Sequence, residues 1–264
     1  MLKNIATVTL VLLISTLQGC LADEVSSILT DEECISSAER GVVISFDDSG
    51  NIQSWGENRE FLKSHGVIAT FFVDRWDKLE QWELEILQNL TEDGHEIGFH
   101  ATNHGDYFEF LEQNLTEYDY VEKEILPGLQ NMEEMGFLAN SFAYPRGHRD
   151  TNIDLLLLDY FSALRGTQSN KDGSESWIAE CEDLRVFRSF PLITKEETNE
   201  SLEYREKWTE YGFNSVEDGN KTLLFNGHGI ENGWAPTSLG NLDLLFEEIE
   251  NRDLKYLRMS DLGN

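Results

Sequence analysis

The chain has 264 residues, with 20 Lys or Arg against 50 Asp or Glu, and a formal net charge of −30 at pH 7. This length suits one large domain or two small ones, and a hydrophobic fraction of 40% is enough for a full core. The negative charge argues against binding to nucleic acid and to anionic lipid surfaces, because their phosphates would be repelled. It suits a neutral or cationic substrate, although a solvated acidic surface explains it as well.

The first 19 residues are not expected to belong to the fold. Residues 5–17 form an apolar run that is short for a membrane span and typical of the core of a signal peptide. The run ends in Leu-Gln-Gly-Cys at 17–20, which resembles a bacterial lipobox and implies cleavage before Cys20 and lipid attachment to its sulfur. The alternative is an ordinary secretory signal with a chance cysteine. We therefore predict a lipoprotein signal peptide over 1–19, a polar tether over 20–40, and an exported protein anchored to the membrane of the bacterial cell envelope through Cys20. In a Gram-negative host that membrane would be the outer membrane or another surface facing the periplasm.

Two further cysteines remain after the lipobox. Cys34 and Cys181 would be able to close one disulfide in an exported chain, but the sequence does not show that they meet. Neither lies in a Cys-x-x-Cys pair, which argues against a zinc thiolate site.

Beyond residue 40, strand and helix patterns alternate about seven times along the chain. Continuous apolar runs rich in β-branched residues predict buried strands, and apolar residues at helical spacing predict amphipathic helices. The predicted strands are 41–46, 67–73, 95–99, 141–144, 161–164, 184–190, 222–225 and 255–257. The predicted helices are 58–64, 77–92, 116–135, 151–159, 195–211 and 242–249, and Pro127 is expected to kink or split the third. The alternation predicts an α/β fold for 41–264, with a parallel sheet closed as a distorted (β/α)7-type barrel. The stretches 106–115, 168–182 and 232–239 are predicted loops.

Polar clusters follow four of the predicted strands. They are Asp47 with Asp48, His100 with His104, residues 144–147, and His228. Because the carboxyl ends of parallel strands meet on one face of a barrel, these side chains are expected to converge. One carboxylate and two imidazoles suit Zn²⁺ and other divalent metals, a second carboxylate suits a general base, and a histidine across the pocket suits a general acid. Taken singly, an Asp-Asp pair is more often a turn and a histidine between glycines a loop residue.

Four motifs resemble those of the polysaccharide deacetylases of the NodB-homology type, the family-four carbohydrate esterases, over about residues 40–262. The first stands as Ser-Phe-Asp-Asp at 45–48. The second stands as Gly-His-Glu-Ile-Gly at 94–98, followed by the histidine pair of 100–104, with Ala101 in place of the family's hydroxyl residue. The third stands as Phe-Ala-Tyr-Pro-Arg-Gly at 142–147, and the fifth as Leu-Leu-Phe-Asn-Gly-His-Gly at 223–229.

The resemblance implies a role for each matched position. Asp47 would be the catalytic base and His228 the general acid. The backbone N–H of Arg146 would bind the oxyanion. Asp48, His100 and His104 would hold a divalent metal, most often Zn²⁺, with Co²⁺, Ni²⁺ or Mn²⁺ as alternatives. Tyr144, Pro145 and Trp234 are the positions expected at the substrate.

Two features of the family pattern are missing. The arginine that orients the base in the third motif is replaced by Ala143, and we hypothesise that Arg165, at the end of the next strand, reaches in to replace it. The fourth motif, an Asp-containing loop, is not placed, and Asp172 and Trp177 match it poorly.

The expected function is metal-dependent removal of N- or O-acetyl groups from a cell-envelope or extracellular polysaccharide. One alternative is another hydrolase on the same scaffold, which removes formyl groups or opens cyclic amides. The other is a non-catalytic, lipid-anchored protein that binds glycans, and the complete Asp47, Asp48, His100, His104 and His228 set argues against it.

Overall fold

The computed structural model describes residues 41–167, 178–179, 185–195, 198–217 and 221–263. The signal peptide over 1–19, the tether over 20–40 with Cys20, the Cys34–Cys181 disulfide, Asp172 and Trp177 all lie outside the described residues and stay predictions. None of the described helices is both long enough and apolar enough to cross a membrane.

Seven parallel strands close into a barrel, which confirms the predicted fold. Their order around the barrel is β1-β2-β3-β4-β5-β7-β8, and β8 pairs back with β1. Strand β6 pairs antiparallel with β8, and β9 lies parallel to the first three residues of β1. The strands are β1 Gly41–Asp47, β2 Thr70–Val73, β3 Glu96–Phe99, β4 Ser141–Ala143, β5 Ala163–Thr167, β6 Ile178–Ala179, β7 Val186–Pro191, β8 Thr222–Gly227 and β9 Lys255–Leu257.

Helices surround the barrel. They are α1 Ile52–Glu57, α2 Arg59–Ser64, α3 Gln81–Glu92, α4 Tyr107–Glu112, α5 Glu117–Tyr120, α6 Leu126–Glu134, α7 Thr151–Leu157, α8 Asn199–Glu217 and α9 Leu239–Asn251. Short 3₁₀ turns span Ser49–Asn51, Trp76–Lys78, Pro145–Gly147 and Met259–Gly263. The predicted helix at 116–135 is split as expected: a π-helical turn, Val121–Ile125, separates α5 from α6, and Pro127 lies in the first turn of α6.

Several predicted elements differ from the structure, and one of them is the predicted loop 168–182, which contains strand β6 at Ile178–Ala179. The predicted loop 106–115 contains α4, because the Asp106 side chain accepts the Phe108 N–H at 2.9 Å as an N-cap and Tyr107 is buried. The predicted strand 161–164 begins and ends later, so Arg165 lies within β5 rather than after it. The predicted helix 195–211 instead spans Asn199–Glu217, since its last turns bury Phe213 and Val216.

The barrel interior changes from apolar to polar along its axis. A cluster of small and large apolar residues fills its middle: Val43, Phe72, Ala143, Ala163, Phe187, Leu224 and Met259. Gly98 leaves room there for Phe72, because a Cβ would lie 2.5 Å from that ring. Inward-facing side chains alternate along each strand, so Asp47, Arg165 and Ser189 follow the apolar residues of β1, β5 and β7 toward the carboxyl ends. The carboxyl ends of the strands therefore surround a polar opening.

Candidate active site

The end of β1 places two carboxylates at the mouth of the barrel. Asp47 is the last residue of the strand and is buried. Asp48 leaves the strand with φ 76° and donates its N–H to the Phe72 carbonyl at 3.1 Å. Asp74, fully buried just after β2, accepts the Ser49 N–H at 2.9 Å. This bond fixes the turn that holds Asp48 in its unusual backbone conformation.

Asp48 meets both histidines predicted as metal ligands. Its Oδ1 lies 3.4 Å from His100 Nε2 and 3.2 Å from His104 Nε2, and one ligand atom from each of the three residues lies within 4.8 Å of the others. His100 Nδ1 donates to the Ala143 carbonyl at 2.7 Å, and this bond orients the ring so that Nε2 is directed at Asp48. Two imidazole nitrogens and one carboxylate oxygen in this arrangement fit a divalent cation.

The charges of the cluster also suit a cation. Burial opposes ionisation of Asp48, but hydrogen bonds from His100 and His104 outweigh it and hold the pKa of the Asp48 carboxyl well below its usual range. Burial also opposes protonation of His100, yet the hydrogen bond to Asp48 and the charges of Asp47, Asp48 and Asp74 raise the pKa of His100 above its ordinary value. The carboxylates therefore create a negative site that attracts either protons or a metal.

The loop that joins His100 to His104 is held by a buried glutamate on the π-helical turn. Glu124 accepts the N–H of Asn103 at 2.8 Å and that of Gly105 at 3.1 Å, and its carbonyl accepts the Thr102 N–H at 2.8 Å. Its side chain would collide with a Cβ at Gly105, at 2.5 Å. The π-helical turn thus places one carboxylate where it binds the backbone on both sides of His104.

We expect Glu124→Ala to weaken divalent metal affinity by roughly 10–100-fold, because the loop that presents His104 loses three of its hydrogen bonds. Titration of the apoprotein with Zn²⁺ or Co²⁺ measures this directly. Glu122→Ala is the matched control, since Glu122 lies on the same turn and is exposed. Equal affinity in the two variants would contradict the role assigned to Glu124.

The Asp47 carboxylate is bound by Arg165. Nη2 of Arg165 lies 2.7 Å from both carboxylate oxygens, and both side chains are almost fully buried. Nη1 donates to Ser189 Oγ at 3.1 Å, and the guanidinium lies 5.1 Å from the centre of the Phe72 ring. Arg165 pairs in register with Ala143, the position where the third motif usually has arginine. The guanidinium therefore enters the same layer of the barrel from the neighbouring strand.

His228 follows β8 and faces the same opening. Its Nε2 lies 3.9 Å from Asp48 Oδ2. Burial lowers the pKa of His228 against the opposing charges of Asp47 and Asp48, and the positive charge of Arg165 adds to the decrease. A lower pKa makes the protonated ring a readier proton donor. In the described part of the chain no residue hydrogen-bonds to this ring, and Asp172 and Trp177, which match the fourth motif poorly, lie outside that part.

The three predicted substrate positions differ in exposure. Trp234 is 63% exposed and its ring meets the His228 ring edge-on at 4.3 Å, so it lies at the rim beside the proposed acid. Tyr144 and Pro145 are buried, and the Tyr144 hydroxyl donates to Asp154 Oδ1 at 2.8 Å. Their side chains therefore have no open surface for a substrate in this structure.

Arg146 lies in the tight turn after β4. Its backbone has φ 57°, and the first N–H groups of such a turn have no partner within the turn itself. Its exposed side chain pairs with Asp106 and Glu109 on α4. The side chain is thus directed to α4, and only the main chain of Arg146 remains for the predicted oxyanion role.

Several supporting residues were not predicted from the sequence. Asp74 follows directly after a predicted strand, so the rule that identified Asp47 and Asp48 would have identified it as well. Ser189 binds Arg165 from within a strand, and Glu124 lies inside a continuous helical pattern. The sequence around Ser189 and Glu124 contains no pattern that predicts these contacts.

One family model and several solved structures match this chain. The family model described as polysaccharide deacetylase matches residues 35–160. A family 4 acetyl xylan esterase from Clostridium thermocellum, in complex with a cobalt ion, is 16% identical with a TM-score of 0.51, over 84% of this chain and 89% of its own. A peptidoglycan N-acetylglucosamine deacetylase is 15% identical with a TM-score of 0.53, over 86% of this chain and 89% of its own. A family-four pseudoenzyme from Bacillus anthracis is 14% identical with a TM-score of 0.53, over 86% of this chain and 66% of its own.

No curated protein matches the chain in sequence. The structural similarities, at 14–16% identity, establish the fold alone. Residues 35–160 thus match the polysaccharide deacetylase family model, and the chain has the fold of the family-four carbohydrate esterases.

Proposed function

We propose that this protein is a metal-dependent deacetylase that hydrolyses N- or O-acetyl groups on a polysaccharide. The observation that supports it most strongly is the Asp47–Arg165 pair beside the Asp48, His100 and His104 cluster, with His228 at the same opening. A base, a cation site and an acid within one opening are what hydrolysis of an acyl bond requires.

The metal ligands and the base have separate roles in the proposed reaction. A divalent cation held by Asp48, His100 and His104, which we propose to be Zn²⁺ with Co²⁺, Ni²⁺ or Mn²⁺ as alternatives, would supply Lewis acidity to the acyl oxygen and to water. Asp47 removes a proton from the attacking water, and Arg165 holds its carboxylate in place.

The remaining steps concern the oxyanion and the departing group. The Arg146 N–H donates to the developing oxyanion, and His228 gives a proton to the departing amine or hydroxyl group. Trp234 offers an exposed aromatic face beside His228, on which a sugar ring can stack.

Two other functions would give different results in one experiment. The purified protein is analysed for bound metal, and release of acetate and of formate is measured on acetylated chitooligosaccharides, peptidoglycan and acetylxylan. The proposal predicts bound metal and acetate release, abolished by chelation and restored by added metal. Bound metal without acetate would favour a hydrolase of formyl groups or cyclic amides. Absence of both metal and hydrolysis would favour a glycan-binding protein. One of the structures with this fold is a pseudoenzyme.

The proposed location depends on the sequence alone. The lipobox at 17–20 and the acidic tether lie outside the described residues, so export and lipid anchoring at Cys20 stay predictions. A position at the cell envelope would bring the site to acetylated polysaccharide.

A further inference from the structure

The turn that carries Arg146 lies between two parts of the chain that hold it in place. On one side is Thr167, the last residue of β5, whose hydroxyl oxygen lies 3.5 Å from the Arg146 carbonyl oxygen. A Cβ at Gly147 would collide with that hydroxyl, so glycine allows the turn to approach β5 closely. On the other side is Asp106, the residue before α4. The position of the Arg146 main chain therefore depends on contacts at both sides.

Asp106 connects this turn to the loop that presents His104. It follows His104 by two residues, is 3% exposed, and accepts the Phe108 N–H at the start of α4. Its Oδ1 and Oδ2 also lie 3.0 Å and 2.9 Å from Nδ1 of His148. Its Oδ2 lies 3.4 Å from Nη1 of Arg146. One buried carboxyl group thus binds the side chains on both sides of Gly147.

His148 makes the shorter of the two contacts with Asp106. Its ring also stacks on Phe108, with centroids 4.8 Å apart and planes 14° from parallel, so α4 fixes its orientation. The Arg146 side chain is more exposed and is shared with Glu109. An exposed ion pair contributes little, whereas a hydrogen bond to a buried carboxyl group contributes more. The bond from His148 to Asp106 is therefore the main connection between the turn and α4.

We propose that Asp106 and His148 are positioning residues for the oxyanion donor. They fix the turn of 145–147 so that the Arg146 N–H faces the opening at a set distance from the cation site. This inference rests on the proposed deacetylase function, because an oxyanion donor is needed only for acyl hydrolysis. Such a donor acts at short range, and a small displacement from the developing oxyanion costs much of its effect. Neither residue needs to touch the substrate in this role.

Two substitutions of His148 separate the hydrogen bond from the ring. His148→Ala removes the donor, whereas His148→Asn keeps an N–H near the place of Nδ1. We expect kcat for acetate release to fall about 5–20-fold in His148→Ala, with KM within about twofold of the wild type, and His148→Asn to recover most of the loss. Metal content should stay the same, since His148 is not among the converging ligands. His65→Ala, at the end of α2, is the matched control and should keep wild-type activity.

A second variant tests whether His148 acts through Asp106. Asp106→Asn keeps one oxygen for the Phe108 N–H and presents an amide to His148 and Arg146. The double variant Asp106→Asn with His148→Ala should have about the kcat of Asp106→Asn alone, because both changes remove the same contact. Additive losses would contradict the inference. An equal loss of kcat in His148→Ala and His148→Asn would contradict it too, as would a rise in KM with kcat unchanged.

Amide hydrogen exchange tests the same contact without any activity. The amides of 146–148 in the full chain should exchange about 3–10-fold faster in His148→Ala than in the wild type, and at the wild-type rate in His148→Asn. Unchanged exchange in His148→Ala would overturn the inference even if the wild type is an active deacetylase. A wild type that releases no acetate would instead overturn the proposed function, and the catalytic part of this inference with it.

Discussion

Replacement of Asp47 by Asn is expected to reduce turnover by about 10²–10⁴-fold while the divalent metal stays bound. Asn has the shape of Asp and keeps an oxygen for Arg165, but it does not take a proton from water. Asp47 is not among the three residues that converge as metal ligands, so metal affinity should be little changed. Acetate release and metal content are measured on the same preparation.

His104→Ala is the control for this prediction. His104 belongs to the metal cluster, so its loss should remove both the metal and the activity. The two variants therefore separate a base from a ligand. If Asp47→Asn kept activity within tenfold of the wild type, another group would have to be the base.

The fold was predictable because its strands are buried on both faces. Residues 41–46 are apolar except for Ser45, and the structure contains a strand there, Gly41–Asp47, with all seven residues buried. Errors occurred where a tertiary contact decides the element. Tyr107 looks like a loop residue in the sequence, yet its burial and the Asp106 cap form α4.

The cluster of Asp48, His100 and His104 was predictable for a local reason. His100 and His104 are four residues apart after a strand, and Asp48 ends another strand, so the barrel alone brings them together. The residues that fix their orientation were not predictable in this way. Glu124 reaches the His104 loop only because a π-helical turn changes the register of its helix, and helical spacing alone does not reveal such a turn.

The pairing of strands β4 and β5 explains how Asp47, the proposed base, has a guanidinium partner although the third motif lacks its usual arginine. Ala143 and Arg165 are register partners, so their side chains enter the barrel at one level. Ala143 leaves the space that the guanidinium occupies from β5. The sequence suggested Arg165 only because it lies near the next strand end, and the register supplies the physical reason.

Arg165→Ala is therefore expected to lower kcat by at least tenfold without loss of metal. The change leaves the Asp47 carboxylate buried with no counter-ion, which costs about 3–5 kcal/mol of stability. The melting temperature should therefore fall. Near-wild-type activity would contradict the role proposed for Arg165.

The double variant Ala143→Arg with Arg165→Ala tests whether position or residue type matters. It returns the guanidinium to the same layer from β4, where the third motif usually carries it. We expect it to recover activity relative to Arg165→Ala, whereas Arg165→Lys, which keeps the charge but loses the planar fork, should recover less. If the double variant does not recover activity even with metal bound and the fold intact, Asp47 requires a guanidinium that enters from β5 and contacts Ser189, as that of Arg165 does.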